Sequence, residues 1–321
     1  MTFQPGRPAA TEAASSTPDV LRYAAFTDTP GGGNPAGVVL DASGLDEVRM
    51  LALAAEVGYS ETAFVTASDP AARRYRLRFF SPRAEVDFCG HATVATAGAL
   101  AARTGPGPLV FDTPAGEIRV TTTTGDGPPA VTLTSVPTRS RPATADELTA
   151  TLTALRWDTA DLDPELPPHV AFGGNDHLVL AAGSRQRLAD LDYDVPRLTA
   201  VMREYGWTTL QLLWREEVTE TAGDPAGTTT LRFHSRNPFP VGGVYEDPAT
   251  GAAAAALGGY LRALGAVDGP TRVRIRQGED MGRPGELTLD LAPDENRSRV
   301  TGRVVPLAAG TTTAPKEHQA R

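Results

Sequence analysis

The stretch Gly243-Val-Tyr-Glu-Asp-Pro-Ala-Thr-Gly251 is followed by five alanines, Ala252 to Ala256, and predicts a turn that leads into a helix of small residues. Pro248 ends any preceding strand, because proline fixes φ and has no N–H to donate. The carboxylates of Glu246 and Asp247 therefore lie beside the free N–H groups of a helix N-terminus, which attract a carboxylate or phosphate. The alternative is a plain turn in which Asp247 only caps the helix.

A second stretch repeats this order of features. Phe88-Cys-Gly-His-Ala-Thr-Val-Ala-Thr-Ala-Gly-Ala-Leu100 is a turn with polar side chains followed by small apolar residues, and Gly105 ends the predicted helix. The two stretches are roughly 160 residues apart, about the length of one domain. They predict two similar halves with a site between the N-termini of two buried helices.

Composition limits the class of protein. With 321 residues, of which 40% are hydrophobic, the chain has enough apolar residues for a sizeable core and two domains. A formal net charge of −9 argues against nucleic acid or an anionic membrane as partner. Cys89 is the single cysteine, which excludes an intramolecular disulfide and disfavours a cysteine-based zinc site.

Residues 1–19 lack the apolar core of a signal peptide and are expected to form a disordered arm, and residues 311–321 a disordered tail. No apolar run has the length of a membrane span. These features predict a cytoplasmic protein.

The strands predicted from alternation are short and grouped like hairpins, which favours an α+β fold over a doubly wound sheet. Residues 43–57 predict an amphipathic helix whose apolar face is Leu45, Val48, Leu51, Ala52 and Ala55. Residues 20–135 are expected to form the first half and residues 139–298 the second. The segment 139–146 is the predicted linker.

Glu61 is the candidate catalytic residue. It lies in Tyr59-Ser-Glu-Thr-Ala-Phe-Val65, which reads as a strand and is otherwise free of charge. Burial beside apolar side chains raises the pKa of a glutamate, so that it can act as both base and acid near neutral pH. A solvated strand glutamate without a catalytic role is the alternative.

Five segments together resemble the PhzF-like proteins of phenazine biosynthesis, which share the diaminopimelate epimerase fold. The segments occur in family order across residues 21–310 and are highly specific as a set. They are Gly33-Asn-Pro-Ala-Gly-Val-Val39, Ser60-Glu-Thr-Ala-Phe-Val65, Phe80-Ser-Pro82, Phe88-Cys-Gly-His-Ala-Thr93 and Gly243-Val-Tyr-Glu-Asp-Pro-Ala-Thr-Gly251.

The resemblance implies two pseudo-symmetric halves, each a barrel-like sheet around a central helix, with the last strand, residues 299–310, returning to the first half. It also implies a homodimer and a metal- and cofactor-independent isomerase that moves a proton between carbons of a small carboxylate-bearing metabolite. The resemblance further implies a role in secondary metabolism, such as phenazine or antibiotic biosynthesis.

The resemblance also assigns residues to roles. Glu61 matches the general acid/base, and His91 and Asp247 match polar residues that bind and polarise the substrate. Backbone N–H groups near Gly90 and His91 in the first half, and near Gly251 and Ala252 in the second, are expected to bind the substrate carboxylate. Further candidates for substrate binding are Asn34, Tyr59 and His177.

One position departs from the family pattern. The family has Thr-Gly-Ser-Ala where this chain has Thr250-Gly251-Ala252-Ala253, so a serine hydroxyl is missing while its backbone N–H remains. We therefore expect carboxylate binding to persist and substrate choice or proton handling to differ.

Three other functions compete. A two-thiol racemase on this fold needs one cysteine from each half, but Pro248 lies about where the second cysteine belongs. A metal hydrolase is disfavoured because no H-E-x-x-H or paired-histidine spacing occurs. A non-catalytic small-molecule binding protein on the same scaffold stays open, since Ala252 lacks the hydroxyl. The joint presence of Glu61, His91 and Asp247 argues against it.

Overall fold

A computed structural model describes residues 18–217, 227–308 and 310. These residues form six α-helices and seventeen β-strands. The helices are α1 Glu47–Val57, α2 Gly90–Thr104, α3 Ala145–Leu155, α4 Arg185–Ala189, α5 Val195–Tyr205 and α6 Gly251–Ala263. The strands are β1 Leu21–Ala25, β2 Asn34–Val39, β3 Thr62–Asp69, β4 Arg74–Phe80, β5 Glu85–Val86, β6 Gly107–Thr113, β7 Gly116–Gly125, β8 Gly127–Thr134, β9 Arg139–Pro142, β10 His169–Phe172, β11 Asp176–Ala181, β12 Thr209–Glu216, β13 Thr229–Pro238, β14 Glu246–Asp247, β15 Thr271–Gln277, β16 Gly285–Leu291 and β17 Arg299–Pro306.

The strands of the first half close into a barrel. Going around it, each strand pairs with the next in the order β1, β2, β3, β4, β6, β7, β8 and β17, and β17 returns to β1. The β2–β3 and β4–β6 pairs are parallel, and the others are antiparallel. Because closure leaves no free edge, this barrel protects its strands from pairing with other chains.

The second half repeats this pattern. Its order is β9, β10, β11, β12, β13, β15, β16 and β17, with parallel pairs β11–β12 and β13–β15 at the equivalent places. Strand β17 therefore pairs with β1 and β8 of the first half and with β16 of the second. The α+β fold with two pseudo-symmetric halves, predicted from the sequence, is confirmed. The exact boundaries at residues 135, 139 and 298 stay a prediction.

An ion pair shows the pseudo-symmetry at the level of side chains. In the first half Arg78 of β4 binds Glu85 of β5, with a shortest N–O distance of 2.6 Å. In the second half Arg236 of β13 binds Glu246 of β14 at the same distance. Both pairs lie just before a central helix, but the second is buried and the first is part-exposed.

The two central helices are buried because their residues are small. Residues 91–101 of α2 and 253–261 of α6 are all buried. A Cβ on Gly98 would lie only 2.3 Å from Val304, and one on Gly258 only 2.2 Å from Ser298, so the surrounding strands approach these helices closely. The prediction of two buried small-residue helices is confirmed.

Several local predictions were wrong. Helix α1 begins at Glu47 rather than 43, because the Asp46 side chain caps it, and it buries Met50, Leu53 and Ala54 while Val48 is 77% exposed. The predicted linker contains strand β9, which pairs with β10. Parallel pairs joined through helices also occur, contrary to the expected hairpin order, because helix-connected pairing leaves no local trace in the sequence.

None of the helices in the described part of the chain is long and apolar enough to span a membrane. The predicted disordered arm, apart from residues 18 and 19, and the predicted tail 311–321 lie outside the described residues.

Replacing Glu147 by glutamine is expected to lower stability at neutral pH by about 1–2 kcal/mol, a value reduced because its partner Arg141 is exposed. Hydrogen bonds from Arg141 and from the backbone of Thr144 hold the pKa of Glu147 at about 2, below its ordinary 4.5. Because the folded pKa is the lower one, the stabilisation is complete above about pH 4.5 and is lost as pH falls toward 2. The melting temperatures of the wild type and Glu147→Gln, measured from pH 7 down to about pH 2, should converge as the pH falls. A difference that stays constant over this range would contradict the prediction.

Candidate active site

Glu61 lies just before β3, next to the N-terminus of α2. Its Oε2 is 3.3 Å from His91 Nε2 and 3.6 Å from Cys89 Sγ. Ser60 Oγ is 3.3 Å from the same nitrogen of His91. The Glu61 side chain is 15% exposed and that of His91 is 8% exposed, so the cluster keeps a narrow opening to solvent.

Burial decides the protonation of this cluster. It raises the pKa of Glu61 above its ordinary value, against hydrogen bonds from Ser60 and Cys89. It lowers the pKa of His91, which is therefore neutral at pH 7, and raises the pKa of the Cys89 thiol well above its usual range. The cluster thus contains a carboxyl group of raised pKa between a neutral imidazole and a protonated thiol.

Glu61, Cys89 and His91 carry donor atoms that metals bind, all within 4.8 Å of one another. However, Cys89 Sγ lies 3.4 Å from Nδ1 and 3.7 Å from Nε2 of His91, nearly equidistant from both. The lone pair of either ring nitrogen points away from the other nitrogen, so an ion bound along it would be too far from Sγ for a bond. In this arrangement the three side chains do not form a metal site.

Asp247 is the carboxylate that the second half contributes to the region around Glu61. Its Oδ1 accepts a hydrogen bond from Asn34 Nδ2 at 2.7 Å, and its Oδ2 accepts one from Thr250 Oγ1 at 2.6 Å. Burial raises the pKa of Asp247 to about 6, against the opposing effects of His91 and of the hydrogen bonds from Thr250 and Asn34, while the charge of Glu61 adds to the rise. Asp247 is therefore electrostatically coupled to the Glu61 cluster.

The two central helices meet at their first residues. A Cβ on Gly90 would lie 3.9 Å from the Cα of Gly251, so the N-termini of α2 and α6 are adjacent. Each leaves backbone N–H groups free and carries a partial positive charge, so that together they favour an anion between the halves. Cys89 precedes α2 and Thr250 precedes α6, so Thr250, not Pro248 as the sequence suggested, is the counterpart of Cys89.

The remaining candidates have different surroundings. Asn34 directs its amide to Asp247 and to the carbonyl of Ala249, at 3.0 Å. Tyr59 is buried in a small apolar cluster with Ala24, Val305 and Leu307. His177 is fully buried, its Nδ1 is 2.9 Å from Thr209 Oγ1, and burial lowers its pKa to about 4. Ala252 is part-exposed in the first turn of α6. The structure thus brings Glu61, His91, Gly90, Gly251 and Asp247 together but not Tyr59 or His177.

Sequence reasoning missed three polar residues of this region, Ser60, Thr250 and Gln277. Ser60 was hidden by its position beside Glu61 in a predicted strand. Gln277 ends β15, where alternation places it on the buried face with Val273 and Ile275, and a buried glutamine in such a pattern is a usable signal.

A groove of about 620 Å³ lies elsewhere, on the face of β15, β16 and β17. Arginines and acidic side chains line it, and none of the candidate site residues described in the preceding paragraphs does. The groove therefore does not locate the site, which the side-chain cluster and the helix N-termini define.

Comparison with known proteins gives a consistent result. The family described as phenazine biosynthesis-like protein matches residues 23–310. A protein of Deinococcus radiodurans, named as an uncharacterized isomerase, is 35% identical over 86% of this chain and 88% of its own length. One of Mesorhizobium japonicum with the same description is 31% identical over 92% of this chain and 98% of its own length.

Solved structures agree with the sequence relatives. A PhzF-family phenazine biosynthesis protein of Bacillus anthracis has a TM-score of 0.77 at 27% identity, covering 90% of this chain and 96% of its own. A predicted epimerase of Pseudomonas aeruginosa has a TM-score of 0.74 at 25% identity, covering 91% of this chain and 98% of its own. The chain therefore belongs to the phenazine biosynthesis-like protein family, whose relatives include proteins named as isomerases.

Proposed function

We propose that this protein is a cofactor-independent isomerase that moves a proton between two carbons of a small carboxylate-bearing metabolite, with Glu61 as general acid/base. The observation that carries the proposal is the position of Glu61. A nearly buried carboxyl group of raised pKa lies 3.3 Å from His91, beside two adjacent helix N-termini.

The chemistry follows from these positions. A base that removes a proton from carbon must have a pKa near the working pH, and it must return the proton as an acid to the second carbon. Burial shifts Glu61 in this direction, because it disfavours the charged form and so raises the pKa of the carboxyl group. One carboxylate serves both steps when the two carbons present the same face to it.

The negative charge that develops on the substrate needs stabilisation. In this proposal the N–H groups at Gly90 and Gly251, at the adjacent N-termini of α2 and α6, bind the substrate carboxylate between the halves. In this proposal neutral His91 donates a hydrogen bond to the developing charge, and Asp247 orients the substrate or relays a proton.

The second candidate function is a non-catalytic binding protein on the same scaffold, favoured by the missing hydroxyl at Ala252. A binding protein would share the anion site but would need no base, so this function gives no reason for a buried Glu61 beside His91.

The proposed isomerase is also expected to be a homodimer and to be located in the cytoplasm. These two expectations rest on the resemblance and on composition. Analytical ultracentrifugation tests the dimer.

Replacing Ala252 by serine is expected to preserve folding and to change substrate preference by roughly tenfold, about 1.4 kcal/mol. The side chain lies in the first turn of α6, where a hydroxyl adds one donor and acceptor beside the anion site. Relative kcat/KM for two competing carboxylates measures the change. Unaltered binding and turnover with every ligand tested would show that residue 252 lies outside the site.

A screen in deuterated water tests the proposed function. The protein is incubated with a panel of small carboxylates that carry an acidic C–H next to a double bond or carbonyl, and proton NMR follows the replacement of C–H by C–D. We expect exchange on at least one compound that also raises the melting temperature. Compounds that bind without any exchange would support the binding protein instead.

A further inference from the structure

Gln277, the last residue of β15, is buried and bonds to the segment that leads into α6. Its Nε2 donates to the backbone carbonyl of Asp247 at 2.8 Å and to Thr250 Oγ1 at 2.9 Å. Its Oε1 accepts from the backbone N–H of Thr250 at 3.1 Å. All three bonds are to Asp247 and Thr250, which lie just before the N-terminus of α6.

These contacts fix which atom donates and which accepts in every hydrogen bond among Asp247, Thr250 and Gln277. The backbone N–H of Thr250 needs an acceptor and the Asp247 carbonyl needs a donor, so the amide of Gln277 has one possible orientation. Its second N–H then points to the hydroxyl of Thr250. Because that hydroxyl accepts from Gln277 and has one proton, the proton is directed at Asp247 Oδ2, 2.6 Å away.

We propose that Gln277 is a positioning residue that acts through Thr250, directing the hydroxyl proton onto Asp247 and so holding this carboxylate ionised and in one orientation. Its consequence for turnover rests on the proposed function, whereas its effect on Asp247 does not. Asn34 holds the other carboxylate oxygen from the first half, so both oxygens accept hydrogen bonds that favour the charged form.

The groups that face Asp247 determine how far its titration shifts. They are His91 of α2, Glu61 before β3 and the Cys89 thiol that precedes α2. Burial already raises the pKa of Asp247 to about 6, and the Thr250 hydrogen bond opposes that rise. Loss of this bond therefore moves the pKa further upward.

Carbon-13 NMR of protein labelled at aspartate carboxyl groups tests the proposal without any substrate. The Asp247 signal is assigned with Asp247→Asn. In Gln277→Met and in Thr250→Val we expect its pKa to rise by about one unit, which corresponds to the loss of one hydrogen bond to a charged group. Thr250→Ser, which keeps the hydroxyl, should titrate like the wild type, and Gln277→Met should add no further shift in the Thr250→Val background.

An unchanged Asp247 titration in folded Thr250→Val, or in folded Gln277→Met, would overturn the proposal. Where Gln277→Met fails to fold, Gln277→Leu, which also lacks the amide, takes its place. An equal shift from Gln277→Met with and without the Thr250 hydroxyl would also overturn it, since Gln277 would then act by another route. If the wild type catalyses C–H exchange on a substrate, the acidic limb of the pH–rate profile should move to higher pH by the same amount in Gln277→Met and in Thr250→Val. Absence of exchange in the wild type contradicts the proposed function and leaves the NMR result intact.

Discussion

Glu61→Gln is expected to reduce C–H exchange by about 10²–10⁴-fold, the usual contribution of a positioned acid/base. Glutamine keeps the shape of the side chain and its contacts near His91 and Cys89, but it does not shuttle a proton. Folding and ligand affinity should therefore stay close to those of the wild type. The exchange rate at saturating ligand, measured beside a melting curve, separates these effects.

The matched control for this prediction is Glu56→Gln, which makes the same chemical change on an exposed part of α1. It should leave exchange unaltered. A loss of stability in Glu61→Gln in parallel with its activity would instead assign Glu61 a structural role.

Glu246→Gln is expected to destabilise the fold by about 3–5 kcal/mol, because it leaves a buried guanidinium without its counter-charge. The side chains of Arg236 and Glu246 are 5% and 2% exposed, and the pair is bidentate. Asp247 is the next residue, so the two carboxylates of this acidic pair have different roles: Glu246 stabilises the turn and Asp247 faces the site.

The pseudo-symmetric pair supplies the control. In Glu85→Gln the same bond to arginine is lost, but both side chains of that pair are 28% exposed, so the expected cost is about 0–1 kcal/mol. Denaturant unfolding of the two variants measures both free energies. Equal losses would contradict the assignment of burial as the cause.

The main features of the fold were predictable because their causes are local. Glycine and alanine mark α2 and α6 as helices that strands approach closely, and Gly98 against Val304 shows the reason. The ends of α5 also have local causes, because Asp194 caps it and Gly206 ends it. Glu61 was identifiable as a carboxylate in an uncharged stretch.

What the sequence did not predict depends on contacts between distant residues. The parallel β13–β15 pairing brings Gln277 to Asp247 and Thr250, although about thirty residues separate them and none of the intervening residues signals the contact. Substrate binding by Asn34 stays a prediction, and the bond from its amide to Asp247 of the opposite half was not predicted. The residues of the site were thus easier to find than the hydrogen bonds that orient them.

The most direct test of proton transfer is deuterium incorporation into a carboxylate that wild type and Glu61→Gln bind with similar Kd. The account predicts that the wild type incorporates deuterium at a substrate carbon and that Glu61→Gln does so at least about 10²-fold more slowly. Equal rates of incorporation in the two proteins would contradict the role of Glu61, and binding without incorporation in either protein would favour the binding-protein function.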